Sequence, residues 1–306
     1  IGRGQKYLQT EDEIAAGFAI CGAVLAGQKA FTATAGPGNT LMQDGLSMAE
    51  GMRLPFVMIV AQRGGPSSGT VIYSQQEVIL SCFGGNGEGL RLVYSPSSLL
   101  EVYTLTRRAF NDAWHYRFPA IVLTDGYMLK TRGVIDLSEL KIIENIPAHP
   151  LVPEDKVVHW PNIYTFEEEL HQEIISSQKD FHKIAPEVAM SDEYLADDAE
   201  ILVMAHGIVA SCAKEAVTEL RKQGKKVGLF RPITLRPFPK KELDKVASQL
   251  SLKKIIVVES SAGQLARVVR DQLAPEISVP FEYLQYPGLG VETEEIVEQI
   301  SDIKYE

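Results

Sequence analysis

The sequence is poor in cysteine. Its three cysteines, Cys21, Cys82 and Cys212, lie far apart in a chain of 306 residues. They provide no CxxC pair for a zinc or iron–sulfur site, so any such cluster would have to sit on another chain. Few, scattered cysteines are also typical of a reducing compartment, and we predict a cytoplasmic location.

Positive charge and long apolar runs are scarce too. The chain has 30 basic and 40 acidic residues, which gives a net charge of −10. A protein of this charge repels polyanions, so we expect neither nucleic acid nor an anionic membrane as a partner. No apolar run reaches the roughly 18 residues that span a bilayer.

Several catalytic signatures are missing as well. The sequence has no Walker loop and no GxGxxG dinucleotide fingerprint, and no histidine stands in a serine-nucleophile pattern. The six histidines show no metal-ligand spacing. We therefore expect no metal site on this chain, and its chemistry has to be sought in other motifs.

Short apolar runs alternate with helical segments along most of the chain. Four runs read as buried parallel strands: residues 55–61, 120–124, 201–205 and 255–259. This spacing predicts an α/β fold with two doubly wound parallel sheets and right-handed crossovers. We predict a first domain over residues 1–135, a linker with one helix over 136–195, and a second domain over 196–306.

A carboxylate, Glu13, stands at the start of a predicted helix over residues 11–27. This helix is apolar almost all round, so we expect it to be buried. Thr10 and Glu13 fit a capping box, in which each side chain bonds the backbone N–H of the other. Alternatively, Glu13 is a catalytic carboxylate presented to a cofactor among small residues.

Ligands of open parallel sheets bind beyond the carboxyl ends of the strands, and three segments are predicted there. The first, Gly36-Pro37-Gly38-Asn39, either lets the backbone approach an anion or aromatic ring closely or forms a plain turn. The second is the polar loop 62–74, and the third is the pair Asp125-Gly126.

Three residues of the polar loop are candidates for substrate binding. Arg63 follows an apolar strand, so it could hold a carboxylate with paired hydrogen bonds, or be a surface residue or part of a structural ion pair. Ser67 and Ser68 could donate to a carbonyl or phosphate, or be ordinary loop serines.

Taken in order, the motifs resemble those of the alpha subunit of 2-oxoacid:ferredoxin oxidoreductases. They are QTEDEIAA (9–16), TATAGPG (32–38), QRGGPSSG (62–69), Arg231-Pro232, PFP (237–239), and Val258-Glu259 ahead of GQL (263–265). The resemblance spans nearly the whole chain. It implies a domain like the pyrimidine-binding domain of thiamine diphosphate enzymes, followed by one like the transketolase C-terminal domain.

The resemblance also implies a reaction, the oxidative decarboxylation of a 2-oxoacid with CoA to an acyl-CoA, CO₂ and reduced ferredoxin. It implies that Glu13 bonds N1′ of the aminopyrimidine ring of thiamine diphosphate, beside the segment 36–39. It further implies that Arg63 holds the substrate carboxylate, with Ser67, Ser68 and Ile72 nearby.

The implied partners follow from what this chain lacks. It has neither a GDG-type diphosphate motif nor cluster cysteines. The resemblance places the diphosphate, Mg²⁺ and an iron–sulfur cluster on a beta subunit, with gamma and delta subunits in some members and ferredoxin as the electron acceptor.

The sequence departs from the family pattern at three places. Ile72 replaces a hydroxyl residue, and Asn86-Gly87 stands where the family has His-Gly. Both changes argue against a 2-oxoglutarate side chain and leave room for an apolar 2-oxoacid. A family motif resembling YPITPS is absent ahead of residue 1, so we expect the sequence to be truncated or incomplete.

Two other functions fit the sequence. The beta chain of a lipoamide-linked 2-oxoacid dehydrogenase, or a transketolase-like enzyme, has the same domain pair, although the QRGGPSSG loop favours the ferredoxin class. A non-catalytic α/β protein that binds a nucleotide or a partner protein is the other alternative.

Overall fold

The computed structural model describes residues 4–138, 140, 144–249 and 251–303. The predicted outer limits at residues 1 and 306 lie outside these ranges. The first half contains α1 (Glu13–Leu25), β1 (Phe31–Thr34), α2 (Pro37–Gly51), β2 (Val57–Gln62), α3 (Val78–Phe83), β3 (Leu92–Tyr94), α4 (Leu99–Tyr116), β4 (Ala120–Asp125) and α5 (Gly126–Lys130). The second half contains α6 (Glu167–Val188), β5 (Ser191–Tyr194), β6 (Ile201–Met204), α7 (Gly207–Lys222), β7 (Val227–Pro232), β8 (Thr234–Arg236), α8 (Lys240–Ala247), β9 (Lys254–Glu259), α9 (Gln264–Gln272), β10 (Phe281–Gln285) and α10 (Thr293–Ser301).

These strands form two five-stranded sheets. The first has the order β1-β2-β4-β3-β8 and the second the order β10-β9-β6-β7-β5. Within the first sheet, β1, β2, β4 and β3 run parallel, and every residue of β4 is buried. A strand covered on both faces needs apolar side chains at successive positions, which explains the continuous apolar runs. The predicted α/β fold with two parallel-dominated sheets is confirmed.

Two edge strands are antiparallel and escape the sequence pattern. β8 lies in the second half of the chain but pairs with β3 of the first sheet, and β5 pairs with β7 of the second. The segment 136–195 therefore contains β5 as well as the helix α6. Both strands are only three or four residues long, so they are too short to show a strand period.

Helices α1 and α2 meet at glycines. A Cβ atom built on Gly45 would lie 3.1 Å from the Gly17 Cα, so the two backbones approach as closely as they do because neither residue has a side chain. Within α1 only Gly17, Cys21 and Val24 are buried. Ile14 and Phe18 are 37% and 38% exposed. The prediction that this helix is buried is therefore wrong for its outer face.

No helix in the described part of the chain combines the length and apolar character needed to cross a membrane.

Candidate active site

The start of α1 leaves the Glu13 carboxylate free. Asp12 is the N-cap of this helix, and its Oδ1 accepts a hydrogen bond from the Ala15 N–H at 2.8 Å. Thr10 donates to the Asp12 carbonyl oxygen at 3.0 Å instead of capping the helix. The capping-box alternative for Thr10 and Glu13 is therefore wrong. No described residue hydrogen-bonds to the half-buried Glu13 carboxylate.

The Glu13 carboxylate lies against the turn that opens α2. A Cβ atom built on Gly38 would come within 2.8 Å of Glu13 Oε1. Gly36 precedes the helix with a positive φ of 56°, a backbone conformation that favours glycine. Pro37 is the first helical residue, where its missing N–H costs no helical hydrogen bond. The missing side chain of the buried Gly38 therefore makes room for the Glu13 carboxylate and the Thr34 hydroxyl.

Arg63, at the end of β2, lies on the other side of the same turn. Its Nη1 donates to the Thr70 carbonyl oxygen at 2.9 Å and also to that of Ser68. No described residue accepts a hydrogen bond from Nε or Nη2, and no described carboxylate pairs with the guanidinium. A Cβ atom on Gly36 would lie 2.5 Å from Nε and 2.9 Å from Nη2. The Nε–Nη2 edge, which can bind a carboxylate in a bidentate manner, therefore faces the Gly36 backbone and has no described acceptor, and the structural ion pair is ruled out among the described residues.

A buried carboxylate, that of Glu77, holds the backbone at both Gly36 and Arg63, and it was not predicted from the sequence. Glu77 Oε2 accepts hydrogen bonds from the backbone N–H groups of Arg63 and Gly36, at 2.8 and 3.0 Å. Its Oε1 accepts from Asn39 Nδ2 at 3.0 Å. The only signal in the sequence is an acidic residue directly ahead of an apolar helix, the position from which α3 begins.

The remaining predicted residues divide into two groups. Asn39 is wholly buried, and its Oδ1 accepts a hydrogen bond from Gln43 Nε2. The Asn39 side chain therefore supports the turn from the interior of the protein. Ser67 and Ser68 are exposed, and Ser68 contacts Arg63 through its carbonyl oxygen. Ile72 is 49% exposed.

The three segments predicted at the strand ends come together in the structure. Gly36 faces Arg63, and the Ile72 carbonyl oxygen packs directly on Gly126, leaving no room there for a Cβ atom. Asp125 caps α5 by accepting from the Met128 N–H at 2.9 Å. Burial raises the pKa of the Asp125 carboxyl. We assign Asp125 a structural role at the end of β4, where its carboxylate caps α5.

Comparison with known families identifies the type of enzyme. Residues 2–195 match the family described as pyruvate flavodoxin/ferredoxin oxidoreductase, thiamine diphosphate-binding. Residues 199–295 match pyruvate:ferredoxin oxidoreductase core domain II. The chain belongs to the 2-oxoacid:ferredoxin oxidoreductase family. The resemblance predicted from the ordered motifs is thereby confirmed.

Curated relatives within the family carry different substrate names. The chain is 34% identical to the ketoisovalerate oxidoreductase subunit VorB of Methanothermobacter thermautotrophicus, over 87% of this chain and 76% of the relative. It is 33% identical to the 2-oxoglutarate synthase subunit KorA of Methanocaldococcus jannaschii, over 86% and 78%. These names support an alpha-type oxidoreductase subunit and do not favour the lipoamide-linked, transketolase-like or non-catalytic alternatives.

Solved structures share the fold of this chain. The 2-oxoglutarate:ferredoxin oxidoreductase of Magnetococcus marinus, solved with 2-oxoglutarate, coenzyme A and succinyl-CoA, is 26% identical with a TM-score of 0.83. The match covers 98% of this chain but only 57% of that chain. A split-gene transketolase, 15% identical with a TM-score of 0.60 over 94% of this chain and 80% of its own, has the same fold.

Proposed function

We propose that this chain, assembled with a partner subunit, catalyses the oxidative decarboxylation of a 2-oxoacid with CoA, giving an acyl-CoA and CO₂ and reducing ferredoxin. The observation that carries the proposal is the convergence on one turn of a carboxylate and a guanidinium edge that have no hydrogen-bond partner among the described residues. The Glu13 carboxylate lies at Gly38, and the unpaired edge of the Arg63 guanidinium lies at Gly36, two residues away. This family needs an acid–base partner for its cofactor and a cation for its substrate.

The residues fit the pyrimidine end of thiamine diphosphate. When bound, this cofactor supplies the carbanion chemistry by which a 2-oxoacid loses CO₂. The absent side chain at Gly38 leaves room for the Glu13 carboxylate, which has no hydrogen-bond partner among the described residues and would hold the ring nitrogen N1′. Arg63 would orient the 2-oxoacid by its carboxylate until that group leaves.

The partner that we propose carries the diphosphate site, Mg²⁺ and an iron–sulfur cluster. Cys21 and Cys82 are buried and Cys212 is half-buried, which fits a reducing compartment such as the cytoplasm. Ile14 and Phe18 of α1 and Leu41 of α2 are partly exposed. Exposed apolar side chains on these two helices are a suitable surface for the subunit that completes the site. Gamma and delta subunits are further proposed components, with ferredoxin as the electron acceptor.

We expect Phe18→Glu to weaken binding of the partner subunit tenfold or more, because a buried interface aromatic would be replaced by a charge. Isothermal titration calorimetry of the two subunits measures the dissociation constant. Val157→Glu is the control, since Val157 is 97% exposed and belongs to the segment ahead of α6 and not to α1. If both variants bind the partner like the wild-type chain, α1 does not form the interface.

The proposed substrate has an apolar side chain. Val71 and Ile72, 75% and 49% exposed, directly follow Thr70, whose carbonyl oxygen holds Arg63. Branched aliphatic side chains next to the carboxylate-binding group favour a branched 2-oxoacid over one with a second carboxylate.

The test is reconstitution with the partner subunit and measurement of viologen or ferredoxin reduction with pyruvate, 2-oxoglutarate, 2-oxoisovalerate and indolepyruvate. We expect kcat/KM for 2-oxoisovalerate to exceed that for 2-oxoglutarate at least tenfold, since leaving a carboxylate in apolar surroundings costs well over 1.4 kcal/mol. No reduction with any 2-oxoacid would refute the proposed function. A preference for 2-oxoglutarate would refute only the substrate class.

A further inference from the structure

A polar segment is buried between the two sheets. It consists of residues 74–77, which we call the junction segment, and it connects the Arg63 loop to α3. Ser74 and Gln75 are fully buried and Glu77 is 5% exposed. Buried polar side chains are stable only when their hydrogen bonds are satisfied, so the partners of this segment show what it holds.

One side of the junction segment holds the candidate site. The Glu77 carboxylate gathers the backbone N–H groups of Gly36 and Arg63 and the side chain of Asn39. Gln76 Oε1 accepts from the Gly65 N–H at 2.7 Å, within the loop that carries Arg63. The segment thus fixes both the turn at Glu13 and the start of the substrate loop.

The other side is attached to the strand ends of the second sheet. Gln75 exchanges two hydrogen bonds with the backbone of Ser260 at 3.0 and 3.1 Å, and its Nε2 donates to the His206 carbonyl oxygen at 2.8 Å. Ser74 Oγ donates to the Ser260 carbonyl oxygen at 2.7 Å. Ser260 directly follows β9, and His206 comes two residues after β6.

A residue of α9 completes the attachment. Gln264 Nε2 donates to the Gln76 carbonyl oxygen at 2.6 Å, and its Oε1 accepts from the Ile79 N–H at 3.0 Å. These contacts come from the strand ends of the second sheet and from the start of α9. The position of the second sheet is therefore connected, through the junction segment, to the position of Arg63.

We infer that Glu77 is a positioning residue for the proposed reaction: fixed to the second sheet through the junction segment, it sets the position of Arg63 relative to the turn at Gly36. This inference rests on the proposed function. Only a carboxylate serves all three donors at this point. In a glutamine the single carbonyl oxygen can accept from Gly36 and Arg63, but the amide nitrogen then faces Asn39 Nδ2, donor against donor.

The test compares Glu77→Gln with the wild-type chain in the assembled enzyme. We expect KM for the 2-oxoacid to rise about tenfold, because the Arg63 backbone is no longer held, while KM for CoA stays within twofold. Hydrogen exchange measured by mass spectrometry should become faster in peptides covering residues 34–40 and 62–66. Gln76→Met, which removes the acceptor for the Gly65 N–H at a half-buried position, should shift the same KM in the same direction by a smaller factor.

The matched control is Asp112→Asn. Asp112 likewise exchanges a carboxylate for an amide in a partly buried site, where Tyr94 and Arg108 both donate to its Oδ2 at 2.6 and 3.0 Å, but it lies on α4 and has no hydrogen bond to the candidate site. We expect it to lower the melting temperature and leave both KM values unchanged.

The inference is overturned if Glu77→Gln behaves like Asp112→Asn, or changes both KM values equally. If Glu77→Gln does not assemble, an unchanged KM in Gln76→Met overturns it. A wild-type enzyme without 2-oxoacid-dependent reduction refutes the proposed function instead, and exchange in the two peptides then still decides whether Glu77 orders them.

Discussion

Glu13→Gln is expected to lower the rate of 2-oxoacid decarboxylation by about 10²–10⁴ without preventing assembly, the range for loss of a positioned acid–base group. The substitution conserves the size of the side chain but removes a carboxylate oxygen at the Gly38 turn. Glu13 makes no hydrogen bond to any described residue, and Asp12 caps the helix, so the fold does not depend on the Glu13 charge. Single-turnover CO₂ release from the reconstituted enzyme measures the rate.

Asp12→Asn is the matched control for this experiment. It removes the same charge one residue earlier, and asparagine caps a helix about as well as aspartate. We expect the control to turn over at the wild-type rate. A Glu13→Gln enzyme with a normal rate per assembled complex would contradict the proposed acid–base role, and equal losses in both variants would indicate an effect of the helix start alone.

The parallel strands were predictable because a strand buried on both faces imposes a run of apolar residues. β2 and β4 begin and end within two residues of the predicted segments 55–61 and 120–124. β5 and β8 were not predicted, because their stability comes from pairing with distant strands and not from their own sequence. β8 also lies between two prolines, Pro232 and Pro237, in a stretch that resembles a loop.

The candidate site was predictable only where its residues stand in local motifs, at the start of a helix or in a loop. Glycine-rich turns and an arginine after a strand are local features, and the structure brings Glu13, Gly38, Gly36 and Arg63 together. The support is not local. Glu77 bonds residues that lie 41 and 14 positions away in the chain, and no window of sequence contains those contacts. A polar segment that is buried shows its role only when its partners are known.

The outer face of α1 shows a different limit of sequence reasoning. An apolar helix indicates burial, but the pattern does not distinguish the core of one chain from an interface between chains. Ile14 and Phe18 of α1 are partly exposed in this chain. The apolar composition and the exposure are reconciled if the proposed partner subunit covers this face.

Arg63→Leu is expected to lower kcat/KM for the 2-oxoacid by on the order of 10²–10³, with KM for the 2-oxoacid rising far more than KM for CoA. Leucine keeps much of the volume but removes the free Nε and Nη2 donors, and hydrogen bonds between charged groups contribute about 1.5–3 kcal/mol each. Arg63→Lys should recover only part of the loss, because an ammonium group keeps the charge and lacks the fork that binds a carboxylate in a bidentate manner. Steady-state kinetics with each substrate varied in turn separates the two KM values.

Arg267→Leu, at an exposed position on α9, controls for the loss of one positive charge and should leave both KM values unchanged. The leucine variant also removes the Arg63 donors to the Ser68 and Thr70 carbonyl oxygens, so the loop 64–70 could loosen. Lysine distinguishes these effects. If the loss came from the loop alone, a lysine that bonds the same carbonyl oxygens would restore activity. If Arg63 binds the carboxylate in a bidentate manner, KM for the 2-oxoacid stays raised in Arg63→Lys. Equal increases in both KM values in Arg63→Leu would contradict a carboxylate-binding role.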